Sequence, residues 1–330
     1  MKTKHKKALI TGGAGFIGSH LCEELIKRDF LVTALDNLST GASSNIKHLI
    51  KDKRKFEFCK GSVMDYALLE RLIRRCDVIF HLAAAVGVQY ILDHPIQSIL
   101  TNVEGTENVL SLASAYHKKV LIASTSEIYG KHSSKAIREE DNRILGPTNV
   151  SRWSYADAKA VDEFLALAYH LEDKLEVVIL RFFNVVGPRQ VGRYGMVLPR
   201  FIEEALSGKP ITIYGDGRQT RSFTYVKDAV RAVADLSLTQ KAIGKAFNIG
   251  GDESISVIQL AHKVKRKLKS SSKIIHVSYE KVYGENFEDV RHRVPDISRI
   301  QKLIGYRPQY NLVKIIDETT KYFQNKLGGT

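Results

Sequence analysis

Short apolar runs alternate with longer amphipathic segments through the first half of the chain. Runs of strand length predict β-strands at residues 8–11, 31–36, 56–60, 78–82, 120–124 and 177–181. Apolar positions spaced three and four apart predict helices among them, at residues 16–27, 95–115 and 153–170. Strands that alternate with helices need crossover connections, so the pattern predicts an α/β fold with a doubly wound parallel sheet.

The alternation becomes weaker after about residue 181. Residues 184–194 are rich in glycine, proline and arginine, which is typical of a loop over a ligand. The later pattern predicts helices and strands at residues 199–207, 211–214, 226–238 and 246–249, of which the last returns to the main sheet. We therefore expect a sheet domain in residues 1–183, with returning segments at about 222–250. A smaller, discontinuous mixed α/β lobe in residues 184–330 is expected to bind substrate.

Composition narrows the class of protein. The chain is 44% hydrophobic and 26% charged, as in ordinary globular proteins, and its apolar runs are too short to cross a bilayer. Cys22, Cys59 and Cys76 lack the spacing of metal ligands. We expect a cytoplasmic protein with reduced cysteines, no metal site and no membrane contact.

The net charge of +14 has three interpretations: a nucleic-acid surface, attraction of a polyanionic small molecule, or solvated surface without a specific role. Much of the excess lies in the N-terminal tail and in residues 263–269. There, basic residues surround Val264 and Leu268, as on the outer face of an amphipathic helix. Because no nucleic-acid-binding motif is present, solvated surface is favoured and no nucleic-acid partner is predicted.

A glycine-rich turn joins the first predicted strand to the first helix. Gly13-x-Gly15-x-x-Gly18 has the spacing of a dinucleotide-binding turn, and Gly12 adds a second, wider spacing. Such a turn lets the backbone and a helix N-terminus approach a pyrophosphate, which makes the predicted sheet Rossmann-type. Asp36, at the end of the second strand, can bind ribose hydroxyls and would repel a 2′-phosphate. It therefore favours NAD over NADP, although a strand-end cap is an alternative interpretation.

Tyr155 and Lys159 are four residues apart on a predicted helix, so they share one face. A phenol has an ordinary pKa of about 10, and a nearby ammonium favours its ionised form. Thr125, Ser126 and Glu127 follow the fifth strand, at the sheet edge where ligands bind. This grouping favours acid/base chemistry beside a nicotinamide over a chance surface pair or a helix cap.

These motifs, in this order, resemble the extended branch of the short-chain dehydrogenase/reductase superfamily, namely its NAD-dependent sugar-nucleotide epimerases, dehydratases and decarboxylases. The resemblance covers nearly the whole chain. It is carried by residues 11–18, 36–37, 81–84, 124–130, 155–159, 181–184, 187–188, 214–217, 221 and 293–296.

The resemblance implies roles for the catalytic residues. Tyr155 would take the proton of the sugar C4 hydroxyl while hydride passes to NAD, and Thr125 would hydrogen-bond the reacting oxygen. Lys159 would hold the nicotinamide ribose and tune Tyr155. Ser126 and Glu127 would complete the catalytic set.

The resemblance also implies the binding residues. Cofactor contacts are expected from Gly12, Gly15, Phe16, Ile17, Gly18, Asp36, Asn37, Ser62, Val63, Leu82, Ala83, Ala84, Tyr155 and Lys159. Substrate contacts are expected from Val86, Asn184, Val197, Tyr214, Arg221 and Arg293. Asn184 and the two arginines would bind the diphosphate, and Tyr214 would flank the base. Ser62 departs from the family, which usually has aspartate there, and this removes one adenine contact.

The reaction itself stays open at this point. Epimerases, dehydratases and decarboxylases of the family share a 4-keto intermediate. Glu127 is typical of the dehydratases and decarboxylases, and Ser126 before it of the decarboxylases, whereas residues 83–88 are epimerase-like. We expect an epimerase or dehydratase acting on a UDP-sugar, with UDP-glucuronate decarboxylation or a 4,6- or 5,6-dehydration as alternatives. A catalytically silent NAD-binding scaffold is a remote alternative.

The resemblance further implies a homodimer. Helices around residues 95–115 and 153–170 would pair with their copies in a four-helix interface.

Overall fold

The computed structural model describes residues 5–87, 91, 93–132, 134–190, 196–284 and 288–328. Val88 and residues 191–194, which belong to the two loops singled out from the sequence, lie outside this range. The strands, in chain order, are β1 (Lys7–Thr11), β2 (Leu31–Asp36), β3 (Phe56–Lys60), β4 (Val78–His81), β5 (Lys119–Thr125), β6 (Val177–Phe182), β7 (Val185–Val186), β8 (Ile211–Tyr214), β9 (Thr220–Ser222), β10 (Thr224–Tyr225), β11 (Lys245–Ile249), β12 (Ser254–Ser256), β13 (Ile274–Val277) and β14 (His292–Arg293). The helices are α1 (Phe16–Lys27), α2 (Tyr66–Arg74), α3 (Pro95–Ala115), α4 (Arg152–Asp173), α5 (Val197–Leu206), α6 (Val226–Ser237), α7 (Val257–Lys267), α8 (Tyr279–Tyr283), α9 (Ser298–Ile304) and α10 (Leu312–Gly328).

Seven of these strands form the main sheet, in the order β11-β6-β5-β4-β1-β2-β3, and every neighbouring pair is parallel. The predicted doubly wound α/β sheet is therefore confirmed. Strand β1 lies between β2 and β4, so the chain winds outward from this point in both directions. In open parallel sheets, the crevice at such a reversal, beyond the carboxyl ends of the strands, is where ligands bind.

Successive side chains of a strand point to opposite faces of the sheet, and helices pack against both faces. Leu9 of β1 packs with Val109 of α3, whereas its neighbour Ile10 packs on the other face with Leu21 of α1. All four side chains are fully buried. Burial of each such side chain is worth about 1.5–3 kcal/mol, which fixes the helices that carry the site against the sheet.

The remaining short strands belong to smaller sheets: β13 beside β8, β12-β9-β14, and β10 beside β7. A third apolar cluster lies here and includes Phe201 of α5, Ile211 of β8 and Leu260 of α7. β11 joins the main sheet through β6, as its sequence pattern predicts. The division into two lobes at residue 183 stays a prediction.

Helix α7 has the amphipathic character predicted around residues 263–269. Val264 is fully buried, and the exposed positions near it are basic. Among the described helices, none is both long enough and apolar enough to cross a bilayer.

Candidate active site

The crevice at the carboxyl ends of the main strands forms a cavity of about 710 Å³. The residues predicted from the sequence for catalysis, cofactor binding and substrate binding all line it. They are Gly12, Gly15, Phe16, Ile17, Gly18, Asp36, Asn37, Ser62, Val63, Leu82, Ala83, Ala84, Val86, Thr125, Ser126, Glu127, Tyr155, Lys159, Asn184, Val197, Tyr214, Arg221 and Arg293. Their individual roles remain predictions.

The glycine turn between β1 and α1 has no room for side chains. Gly12 has a φ of +70°, and a Cβ there would lie 2.9 Å from the backbone nitrogen of Ala83. A Cβ on Gly18 would collide with the carbonyl oxygen of Gly12. The bare turn and the helix N-terminus after it therefore fit the approach of a pyrophosphate.

Asp36 lies at the end of β2 and is 7% exposed. Its carboxylate accepts hydrogen bonds from the backbone N–H groups of Ala14, at 2.9 Å, and Leu38, at 2.7 Å. The strand-end cap considered from the sequence is thus present. Each carboxylate oxygen keeps a further acceptor site, so Asp36 can cap the turn and still accept from a ribose hydroxyl.

Tyr155 and Lys159 lie on the first turns of α4, and Thr125 lies at the end of β5. Burial raises the pKa of Tyr155, the carboxylates of Glu127 and Asp162 raise it further, and a hydrogen bond with Thr125 opposes them. Tyr155 is therefore a protonated phenol at neutral pH in this state. The hydrogen bond brings Tyr155 and Thr125 together in the cavity, and the roles that the resemblance implies for them stay predictions.

Lys159 has a partner that the sequence analysis missed. Its Nζ donates a hydrogen bond to Oδ2 of Asp162 at 2.7 Å, and the two side chains are 3% and 1% exposed. The ammonium therefore has a counter-charge of its own, one turn further along the same helix.

Glu127 lies in a single 3₁₀ turn, Ser126–Tyr129, and its own backbone N–H donates to the side-chain oxygen of Thr125 at 3.2 Å. Its Oε2 accepts from Arg152 at 3.1 Å, and its Oε1 accepts from Arg293. Burial alone would raise the pKa of Glu127, but the two guanidiniums lower it to about 2. Glu127 is thus an ionised carboxylate at any physiological pH.

Asp289 is the second carboxylate of this cluster, and the sequence analysis did not identify it. Arg221 binds both of its oxygens, at 3.0 and 3.1 Å, and Arg152 approaches one of them at 3.3 Å. The Tyr279 hydroxyl donates to the other at 2.6 Å. Burial, with the opposing guanidiniums nearby, lowers the pKa of Arg221 to about 10, so Arg221 remains charged.

We call Glu127, Asp289, Arg152, Arg221 and Arg293 the arginine cluster. Three guanidiniums face two carboxylates, so the cluster keeps one net positive charge. Its members are largely buried, where charge interactions are stronger than in water. Such a cluster can take up an anionic ligand when the ligand displaces a protein carboxylate from a guanidinium.

Tyr214 lies between an aromatic side chain and a guanidinium in another part of the cavity. The guanidinium of Arg200 lies 3.9 Å from the centre of the Tyr214 ring, and Tyr283 contacts that ring edge-on at 5.7 Å. Asn184 has a φ of +37° and donates to the carbonyl of Ser222 at 2.9 Å. Stacked planar groups of this kind suit a flat heteroaromatic ring.

The residues missed from the sequence are Arg152, Asp162, Arg200, Tyr279, Tyr283 and Asp289. Arg152 could have been found, because it precedes Tyr155 by one helical turn and shares its face. Tyr279, Tyr283 and Asp289 lie in a part of the chain without a recognised motif.

Residues 9–319 match the sequence profile of the family described as GDP-mannose 4,6 dehydratase. A UDP-N-acetyl-alpha-D-glucosaminuronate decarboxylase from Bacillus cytotoxicus is 42% identical over 320 residues, which cover 97% of this chain and 98% of that enzyme. UDP-glucuronic acid decarboxylase 1 of Xenopus tropicalis is 34% identical over 322 residues, which cover 98% of this chain and 73% of that enzyme.

A similar solved structure is that of UDP-glucuronic acid 4-epimerase from Bacillus cereus, in complex with UDP-glucuronic acid and NAD. It superposes with a TM-score of 0.87 at 32% sequence identity, and the match covers 97% of this chain and 99% of that one.

Proposed function

Because the chain belongs to the GDP-mannose 4,6 dehydratase family of extended short-chain dehydrogenases/reductases, we propose that it is an NAD-dependent decarboxylase of a UDP-hexuronate. The observation that carries the proposal is the pairing of Arg293 with Glu127 in the cavity that also holds Tyr155 and Thr125. A substrate carboxylate can take the place of the Glu127 carboxylate on the Arg293 fork. A neutral sugar would offer no such partner.

The cavity fits NAD through the bare glycine turn and the acceptor oxygens of Asp36. The N–H groups at the start of α1 would hold the pyrophosphate, Asp36 the adenosine ribose, and Lys159 the nicotinamide ribose. When bound, NAD takes a hydride from the substrate and later returns it.

Tyr155 would remove the proton of the sugar C4 hydroxyl, with Thr125 hydrogen-bonded to the same oxygen. The phenol is protonated before binding because burial and two carboxylates raise its pKa. It must therefore lose its proton before it can act as the base, and positive charge brought into the cavity would favour that loss. Oxidation at C4 then leaves a ketone.

The C4 ketone makes the sugar carboxylate a β-keto acid. The bond between C5 and the carboxyl carbon breaks, carbon dioxide leaves, and the electron pair moves through C5 onto the C4 oxygen. Tyr155 and Thr125 would stabilise this enolate by hydrogen bonds. Arg293 would orient the carboxylate before the bond breaks, and C5 would afterwards take up a proton.

A specific observation also favours a second candidate, 4-epimerisation of the same class of substrate. Ala83, Ala84, Ala85 and Val86 line the cavity with small side chains, which leave space for a 4-keto sugar to turn over. The Bacillus cereus structure described above is that of a UDP-glucuronic acid 4-epimerase. In this second candidate, hydride would return to the opposite face of C4 and the carboxylate would be kept.

Incubation with NAD and either UDP-glucuronate or UDP-N-acetylglucosaminuronate tests the proposal. The products are read by mass spectrometry and NMR, with neutral UDP-glucose as the comparison substrate. Decarboxylation predicts loss of carbon dioxide from a uronate and no change in UDP-glucose. An unchanged mass with inverted C4 would support epimerisation instead, and turnover of UDP-glucose alone would contradict both candidates.

We also propose that the protein is a homodimer that pairs through α3 and α4. Both helices carry large apolar side chains that are substantially exposed in the single chain. These are Ile96, Ile99, Leu100, Val161, Phe164 and Leu171. Phe164 is 65% exposed, and a clustering of such residues marks an interaction surface.

We further propose a cytoplasmic location. The support is the state of Cys22, Cys59 and Cys76, which form no disulfide with one another. Reduced cysteines are typical of cytosolic proteins.

A further inference from the structure

The partner of Lys159 points to a residue that acts through the cofactor site. Tyr155, Lys159 and Asp162 follow one another at spacings of four and three residues, so they share one face of α4. Lys159 donates to Oδ2 of Asp162 at 2.7 Å. Asp162 is fully buried, and its other oxygen, Oδ1, has no hydrogen-bond partner among the described residues.

Asp162 lies behind Lys159 as seen from the cavity. Lys159 is among the residues that line the cavity, whereas Asp162 is not among the described lining residues. An ammonium has three donors, and Asp162 takes one of them. The remaining donors are those of the Lys159 ammonium, which Asp162 anchors on the protein side and which borders the cavity.

The charged groups on the neighbouring elements do not replace Asp162 as the counter-ion. His81 of β4 is near Lys159, but burial and the charge of Lys159 lower the pKa of His81 to about 3, so it is neutral. Glu127, from the turn after β5, is paired with Arg152 and Arg293. Tyr155, on the same helix, is a protonated phenol.

The next acidic residue on the helix has a different task. Glu163 binds Arg181 through both oxygens, at 2.9 and 2.6 Å, and also accepts from the hydroxyl of Ser124. Asp162 and Glu163 are therefore not interchangeable, although they are adjacent in sequence.

We propose that Asp162 is a positioning residue for the cofactor, which acts through Lys159 by balancing the buried ammonium and aiming it at the cavity. A buried cation without a counter-ion is costly. Without Asp162, the ammonium of Lys159 would no longer be held in a fixed position at the nicotinamide end of the site. This inference rests on the NAD dependence in the proposed function, and it does not depend on which reaction follows.

A double-mutant cycle on thermal unfolding tests the pairing without any ligand. Lys159→Met leaves Asp162 as a buried charge without its partner, and we expect it to lower Tm by about 4 °C or more. Adding Asp162→Asn removes that charge, and we expect about half of the lost Tm to return. If the double variant is no more stable than Lys159→Met, the proposed pairing is wrong.

NADH binding to the purified chain tests the functional part. Asp162→Asn is expected to weaken NADH binding about tenfold, the effect of one charge-assisted contact. In the Lys159→Met background the same substitution should change the affinity less than about twofold, because there is no ammonium left to position. An equal loss in both backgrounds, or no loss in either, would overturn the proposal.

Asp157→Asn is the matched control. Asp157 lies on the same helix and is also ion-paired, with Arg143 at 2.7 Å, but its side chain is 52% exposed. We expect no change in NADH binding from this control. If the unmodified chain does not bind NADH, the proposed function fails, whereas the unfolding cycle still decides whether Asp162 balances Lys159. If Asp162→Asn alone does not fold but the double variant does, that result supports the pairing.

Discussion

Glu127 and Arg293 form an ion pair across the cavity although 166 residues separate them in the sequence. The pair joins the 3₁₀ turn after β5, a strand of the main sheet, to the short strand β14, which lies in one of the smaller sheets. A second arginine, Arg152, holds the other oxygen of Glu127. A carboxylate shared by two guanidiniums is the feature from which the proposed uronate specificity follows.

Glu127→Gln should lower turnover of a UDP-uronate about a hundredfold or more and leave NADH affinity unchanged. The amide removes the charge that holds Arg152 and Arg293 in the cavity. Initial rates and NADH titration measure the two effects. Glu140→Gln, at a side chain that is 64% exposed, is the control and should change neither the initial rate nor the NADH affinity. Full activity of Glu127→Gln would be incompatible with a role for this carboxylate.

Arg293→Lys should raise KM for a UDP-uronate about tenfold while the affinity for UDP changes much less. A lysine keeps the positive charge but loses the planar fork that binds a carboxylate through two N–H groups. The comparison of KM with the Kd for UDP, measured by calorimetry, separates carboxylate binding from diphosphate binding. An equal loss for UDP would instead support the diphosphate contact that the resemblance implies for Arg293.

Asp289→Asn should strengthen UDP binding about threefold or more. Asp289 accepts hydrogen bonds from Nη2 of Arg221 with both carboxylate oxygens, and its charge repels a diphosphate. Glu288→Gln is a control at the adjacent residue, whose side chain is 37% exposed and paired with Lys131. Calorimetry with UDP should show a lower Kd for Asp289→Asn only. Weaker binding would mean that Asp289 is needed to hold the arginines in place.

The stability that Glu127 contributes should depend on pH in the acidic range. Its pKa is lowered in the folded protein to about 2, against about 4.3 in an unfolded chain. The contribution is therefore complete above about pH 5 and is lost as the pH falls toward 2. The difference in Tm between the unmodified protein and Glu127→Gln should shrink over this interval. A Tm difference that grows on acidification would show that folding does not lower the pKa of Glu127.

Phe164→Glu should convert the proposed dimer to a monomer. A charge in the proposed apolar interface would have to be buried without a partner, and Phe164 is 65% exposed in the single chain. Light scattering at a fixed protein concentration gives the mass. Leu238→Glu, a similar substitution at a position that is 53% exposed and outside α3 and α4, should leave the mass unchanged. A monomeric unmodified protein would contradict the proposed dimer directly.

Much of the main sheet could be predicted because its strands and helices each have a regular spacing of apolar residues. The helix over residues 16–27 and the strand over residues 31–36 were predicted at the residues where they occur. Their apolar spacing matches the geometry of one helix face or one buried strand. Strands such as β12 and β14 are only three and two residues long, too short to show any periodicity.

The site was predictable only in part, for a different physical reason. Tyr155 and Lys159 stand in a local motif, so spacing alone identifies them. Asp289 has no motif and becomes meaningful only when folding brings it to Arg221, 68 residues earlier in the chain. Asp162 is within the motif region, but spacing could not decide whether Lys159 pairs with Asp162, with the adjacent Glu163 or with a ligand.

Release of labelled carbon dioxide tests the proposed function most directly. UDP-N-acetylglucosaminuronate and UDP-glucuronate, each labelled with carbon-13 at the carboxyl carbon, are incubated with the protein and NAD, and with the Tyr155→Phe variant. The account predicts that the label leaves a uronate as carbon dioxide and that the variant releases none. Complete retention of the label in a product with inverted C4, or in unchanged substrate, would contradict it.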